Sequence, residues 1–142
     1  MKLTIERLIT LTYQDLIDLA KIWPEQHHSE RQHYSEPQQH IAWQRWINEG
    51  KPLFAARFND RLLGAVKVVV HGQRAELVDL CVREVTRRRG VGLYLMEETL
   101  RQLPEVKYWH LAYEQVNAIN RAEMGAFMHV CGFSDATQGW QR

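Results

Sequence analysis

The chain has 142 residues, which suits one domain over 1–142 and is too short for two ordinary ones. Hydrophobic residues make up 45% and charged residues 25%, globular proportions that exclude an intrinsically disordered chain. The charge sum is 18 − 17 = +1, so no whole-protein field draws the chain to nucleic acid or to an anionic membrane, and neither is expected as a partner.

Met1 to Arg7 alternates early and carries charge, so it lacks the apolar core of a signal peptide, and no apolar run downstream is long enough to span a bilayer. Leu3, Ile5 and Leu8 predict a first strand. Thr12 can cap a helix, because Asp15 sits three residues on, where a capping partner belongs. Leu16, Leu19, Ala20 and Trp23 then share one helical face, and Pro24 ends the helix. Residues 24–40 turn polar, with His27, His28, His33 and His40 among them, and read as an exposed loop with room for a helical turn. Zinc at these histidines is not expected, since the spacing fits no structural site and no cysteine joins them. A second helix runs from Ile41 to Ile47.

Three strands follow as a meander. Leu53 to Phe58 and Arg61 to Val70 flank Asn59-Asp60, both tolerant of positive φ; Gly72 turns the chain into Ala75 to Val82. A helix over Gly90 to Leu103 places Leu93, Met96, Leu100 and Leu103 on one face, and Pro104 ends it. Lys107 to Ala112 is a short strand. Asn120 to Cys131 is a helix whose apolar residues are Ala122, Ala126, Phe127 and Val130, closed by Gly132-Phe133. Phe133 and Trp140 predict a final edge strand. Cys81 and Cys131 lie in apolar surroundings and read as reduced thiols of a cytoplasmic protein. The order β-α-α-β-β-β-α-β-α-β predicts an α+β, or mixed α/β, domain.

The stretch from Leu80 to Leu93 carries the chemistry. It runs strand, basic turn, Gly90-Val91-Gly92, helix. A helix N-terminus has unpaired backbone N–H groups and partial positive charge, and so attracts phosphate. Gly90 and Gly92 let the backbone approach a pyrophosphate with no Cβ in the way, and Arg87, Arg88 and Arg89 add charge and forked donors. The plain alternative is a solvated basic turn; the strand before and amphipathic helix after weigh against it. No Gly-Lys-Ser/Thr follows, so this is not a P-loop, and no third glycine or βαβ unit makes it a dinucleotide fold.

Arg87-x-x-Gly90-x-Gly92 after a strand resembles the acyl-CoA-binding signature of the GCN5-related N-acetyltransferase (GNAT) superfamily, and the element order resembles that fold from end to end. The resemblance implies a central, mostly antiparallel sheet flanked by helices, with CoA or acetyl-CoA as cofactor. It implies that Thr86, Arg87, Arg88, Arg89, Gly90, Val91, Gly92 and Leu93 cradle the pyrophosphate. It also implies that the backbone of Leu80, Cys81 and Val82 meets the pantetheine arm, with Asn120 and Arg121 on the adenosine side. Three longer blocks, Lys21 to Glu25, Ala55 to Leu63 and Val82 to Gly92, resemble the bacterial PanD regulatory factor family. That closer resemblance implies a CoA-dependent partner of aspartate 1-decarboxylase. Such a partner promotes self-cleavage of the proenzyme to the pyruvoyl form and restrains the mature enzyme. The Arg57-Phe58-Asn59-Asp60-Arg61 hairpin lies within the second block. Its stiff turn between two arginines, with Arg57, Asn59 and Arg61 as contacts, is the expected recognition element for that partner.

The competing expectation is an ordinary N-acetyltransferase. Acetyl transfer to an amine needs a base, an oxyanion donor and an acid for the leaving thiolate. Superfamily enzymes often place a tyrosine where this chain has Met128, and a thioether cannot donate a proton. His129 points about 100° away on the helix. Glu76, Asp79, Tyr113 and Glu114 remain candidate bases, with outward-facing strand residues as the plain reading of the first two.

Overall fold

The computed structural model describes residues 3–23, 36–82, 90–116 and 118–142. Its seven strands form one sheet. They are β1 (Thr4–Arg7), β2 (Leu53–Phe58), β3 (Arg61–His71), β4 (Arg74–Val82), β5 (Tyr108–Ala112), β6 (Ser134–Ala136) and β7 (Gly139–Gln141). The order is β1-β2-β3-β4-β5-β7-β6, and only β4 and β5 pair in parallel. The helices are α1 (Tyr13–Ile22), α2 (Glu36–Asn48), α3 (Val91–Gln102) and α4 (Arg121–Val130). Among the described residues no helix is long and apolar enough to cross a membrane.

β2 explains the layering. Leu53, Phe54, Ala55 and Ala56 are all buried, so both faces of the strand are covered. Leu53 and Ala55 join Leu19, Ile22, Trp23 and Trp43 in a core under α1 and α2. Phe54 and Ala56 join Val91, Leu95, Met96 and Met128 in the other core, under α3 and α4. Alternate side chains of one strand point to opposite faces, so a single short run feeds both cores.

The Thr12 cap is real: its side chain accepts from the Asp15 backbone N–H while the Asp15 carboxylate accepts from the Thr12 N–H. Asn59 and Asp60 form the two-residue turn at φ 52° and 64°. The α2 helix begins earlier than the sequence suggests, at Glu36, with Pro37 in the first turn, where a missing N–H costs nothing. Residues 24–35, with the Pro24 stop and His27, His28 and His33, lie outside the described residues.

Two helix faces differ from expectation. In α3 Met96 is enclosed as expected and Leu103 is buried just past the helix end, but Val91, Leu95 and Thr99 are enclosed too, and Leu93 and Leu100 are only partly buried at the flank. In α4 the enclosed residues are Gly125 and Met128, whereas Ala122, Ala126 and Val130 face outward. The cause is Trp140. A Cβ on Gly125 would stand 3.4 Å from its indole, so the glycine lets that ring lie against the helix and fixes which side turns inward. The expected last edge strand is a hairpin instead. Its second strand, β7, inserts between β5 and the true edge β6.

Candidate functional site

The two central parallel strands separate. β4 and β5 pair only from Arg74↔Tyr108 to Glu76↔His110. Beyond that point β5 continues on β7, and among the described residues no strand pairs with β4 from Leu77 to Val82 on this side. The divergence coincides with a bulge. The β3–β4 register passes from Lys67↔Val78 to Ala65↔Cys81, and within it Asp79 adopts φ 56°. A non-glycine residue in the left-handed region needs holding, and bulges re-aim strands next to sites. Three contacts hold this one: the Trp23 indole N–H donates to the Asp79 carbonyl at 2.6 Å, Lys67 Nζ reaches the Asp79 carboxylate at 3.1 Å, and the Asp79 N–H donates to Gln115 Oε1 at 3.3 Å. Leu80, Cys81 and Val82 follow, each half-buried, at the end of β4 beyond its pairing with β5.

At the end of β4 the chain crosses to α3. Thr86, Arg87, Arg88 and Arg89 lie outside the described residues. Gly90 is the N-cap of α3 at φ 81° and, lacking a side chain, makes no side-chain cap itself. Among the described residues no atom lies within 4 Å of a Cβ placed on Gly90, beside the first-turn amides of Val91, Gly92 and Leu93. Amides at the positive end of a helix dipole fit a pyrophosphate. Gly92 has another role: its Cβ would stand 3.3 Å from the Phe127 ring and 3.5 Å from Val82, so this glycine seats α3 against α4 and β4. Across the notch, Asn120 and Arg121 open α4, both exposed, and the Arg121 guanidinium lies 4.6 Å from the centre of the Tyr113 ring. These features suit the three parts of CoA: diphosphate, an extended amide arm that adds to a strand edge, and an adenine.

On the opposite flank, the hairpin joining β2 and β3 is tied to α1. Arg57 Nε donates to Glu6 at 2.8 Å and Nη1 to Asp15 at 3.1 Å. Arg61 forks onto Asp18 at 2.7–3.1 Å, and the Leu62 N–H donates to the same carboxylate at 3.0 Å. Asp15 and Asp18 are 1% and 0% exposed. Both guanidiniums are therefore engaged within the chain, while Asn59 and Asp60 stand exposed at the tip. Burial acts to raise the Asp18 carboxyl, but hydrogen bonds from Arg61, Leu62 and Gln14 outweigh it and hold the group below its ordinary value. A depressed carboxyl contributes stability above its unfolded pKa and loses it as pH falls through the folded value. Asp18→Asn is thus expected to cost about 1–3 kcal/mol at neutral pH. The gap to wild type should close as pH drops below about 4, the unfolded value of an aspartate, and chemical denaturation across pH 3–7 reads it. A gap unchanged by acid would contradict the assignment.

Of the candidates for acetyl transfer, Tyr113 and Glu114 line one cleft with His110, and Met128 and His129 lie apart from it. Met128 is 0% exposed, sealed in the core. His129 is exposed and pairs with Asp135 at 2.8 Å. Glu76 holds His110 Nδ1 at 2.9 Å on the sheet face away from α3 and α4, and Asp79 is taken by Lys67. Tyr113 packs edge-on against Trp140, and Glu114 stands exposed beside a cleft of about 480 Å³ with His110 and Thr137. Burial pushes the Cys131 thiol up to about 11, so it is no nucleophile at neutral pH. Among the described residues no cluster of three His, Cys, Asp or Glu could hold a metal ion.

Sequence reasoning missed the buried carboxylates. The signal was there: Asp15, Asp18, Leu19 and Ile22 share one stripe of α1, so the two acids had to be enclosed with cations. The Trp23–Asp79 contact had no such signal, because the partners are 56 residues apart.

The splayed sheet and the glycine turn define a GNAT-type domain. The family described as acetyltransferase (GNAT) domain, PanZ, matches residues 2–141. The chain is 46% identical over 142 residues to the PanD regulatory factor of Salmonella typhimurium strain LT2, covering 100% of this chain and 99% of that protein. It is 45% identical to the PanD regulatory factor of Escherichia coli K12, with the same coverage. The solution structure of E. coli YhhK bound to coenzyme A superposes with a TM-score of 0.76 at 45% identity, covering 100% of this chain and 98% of that one. The chain belongs to the PanD regulatory factor (PanZ) family.

Proposed function

We propose that the chain is a CoA- or acetyl-CoA-dependent regulator of aspartate 1-decarboxylase. On this reading it binds the proenzyme, promotes self-cleavage to the pyruvoyl form, and restrains the mature enzyme. The observation that carries the reading is a left-handed glycine at the start of α3 together with a buried methionine at the usual proton-donor position. Gly90 starts α3 with no described atom within 4 Å of a Cβ placed on it, whereas the usual proton-donor position, Met128, is an enclosed thioether. Identity of 46% with a PanD regulatory factor along the whole chain supports the choice of partner.

The amides of Val91, Gly92 and Leu93 would hold the CoA pyrophosphate, with Thr86, Arg87, Arg88 and Arg89 adding donors and charge. The backbone of Leu80, Cys81 and Val82, where β4 parts from β5, would take the pantetheine amides, and Asn120 with Arg121 would flank the adenosine. Bound there, CoA supplies the signal: the end product of the pathway controls an early enzyme. Arg57, Asn59 and Arg61 form the docking hairpin, Asn59 at its tip. Because Glu6, Asp15 and Asp18 already hold both arginines, contact falls chiefly to the exposed turn. The chain works in the cytoplasm on this reading, where Cys81 and Cys131 stay reduced.

Co-purification with the decarboxylase proenzyme tests the reading. Complex is expected with CoA and not without it; equal recovery in both would remove CoA from the account. Acetyl transfer is expected to be negligible. A thiol-release assay over a broad amine panel should stay far below the usual turnover of about 1–10³ s⁻¹, and turnover within that range would restore the enzyme reading.

A further inference from the structure

Among the described residues, the two most deeply buried charges stand behind the exposed hairpin turn that the proposed function leaves for a partner. Asp15 and Asp18 lie one turn of α1 apart, almost wholly enclosed, and each grips one of the two arginines that bracket Asn59-Asp60. Arg57 Nη1 also reaches the Asp60 carbonyl at 3.4 Å, so one guanidinium spans helix, strand and turn. Asp18 takes more: Arg61 Nε and Nη2, the Leu62 backbone N–H, and Gln14 Nε2 at 3.1 Å. Glu6 on β1 closes the set against Arg57.

An ordinary two-residue hairpin needs none of this. Asn-Asp at positive φ makes the turn by itself, and the flanking strands are long enough to hold register. Enclosing two carboxylates costs desolvation, and such groups are best attested where they fix a geometry rather than where they add stability. Forked Arg–carboxylate pairs fix angles as well as distances. We propose that Asp15 and Asp18 are positioning residues that set the height and angle of the Asn59-Asp60 tip for partner docking, α1 acting as the rigid base of the hairpin. This rests on the hairpin being the docking element. Asp15 and Asp18 do not touch the partner; they act through Arg57 and Arg61.

The test compares Asp18→Asn, Arg61→Lys and Asn59→Gly with wild type, at saturating CoA, by calorimetry with the decarboxylase proenzyme. Each variant is also titrated with CoA alone, and its backbone amide spectrum is recorded. Asp18→Asn is expected to weaken proenzyme affinity by about tenfold or more. Its CoA affinity should stay within about twofold, with amide shifts at Asn59, Asp60 and Leu62 that wild type lacks. Arg61→Lys keeps the charge and loses the fork, so it should show a smaller loss of the same kind, and it carries the test should Asp18→Asn not fold. A general structural defect would lower both affinities together, and that result overturns the proposal. Wild-type proenzyme affinity in Asp18→Asn and Arg61→Lys, with binding lost in Asn59→Gly, overturns the positioning role and leaves the docking hairpin standing. Wild-type affinity in all three overturns the docking hairpin as well.

Discussion

Gly90→Val is expected to lose CoA binding while the fold survives. Two effects act together. The residue sits at φ 81°, where a β-branched side chain is strained by about 1–2 kcal/mol. Any relief of that strain moves the first-turn amides of α3. The new side chain also enters the space beside those amides, where no described residue lies within 4 Å of the added Cβ. Together they should weaken CoA by about a hundredfold, since about 1.4 kcal/mol is worth tenfold. Gly72→Val is the control. Gly72 has φ 62° and an equally open Cβ position, but it turns the opposite end of β4. It should show similar destabilisation and unchanged CoA affinity. Calorimetric binding by Gly90→Val equal to wild type would remove the glycine turn from the cofactor site.

Loss of proenzyme activation in Asn59→Ala is the second large effect. Asn59 is exposed, carries the only side-chain amide of the turn, and donates or accepts in any direction a partner offers. Alanine at φ 52° is also strained by about 1 kcal/mol, so the variant mixes contact with conformation. Asn59→Gly separates them, because glycine favours this turn and lacks the amide. Activation lost in both variants, with CoA affinity intact, makes the amide the recognised group. Activation lost in alanine alone makes turn shape the recognised feature. Full activation in both reduces Asn59 to a turn residue.

What the sequence made legible is local chemistry. The Thr12–Asp15 cap, the Asn59-Asp60 turn, the Gly132 helix end at φ 88° and the start of α3 each depend on neighbours along the chain. The face of α3 was legible in part, through Met96 and Leu103, and that of α4 was not. Ala122, Ala126 and Val130 have helical spacing, and nothing nearby tells that Gly125 must face Trp140. The β6–β7 hairpin escaped because its strands are three residues each, below the length at which alternation shows. The site follows the same division. The glycine turn reads directly from Gly90 and Gly92. The bulge at Asp79 does not, since Trp23, Lys67 and Gln115 reach it from three other parts of the chain.

The central proposal is that the CoA-loaded chain regulates a partner enzyme. Purified aspartate 1-decarboxylase proenzyme, followed by gel mobility of its cleavage products, tests that most directly, alone, with this chain, with CoA, and with both. Rapid cleavage only with chain and CoA together is the predicted result. Cleavage at the same rate in all four mixtures would contradict it.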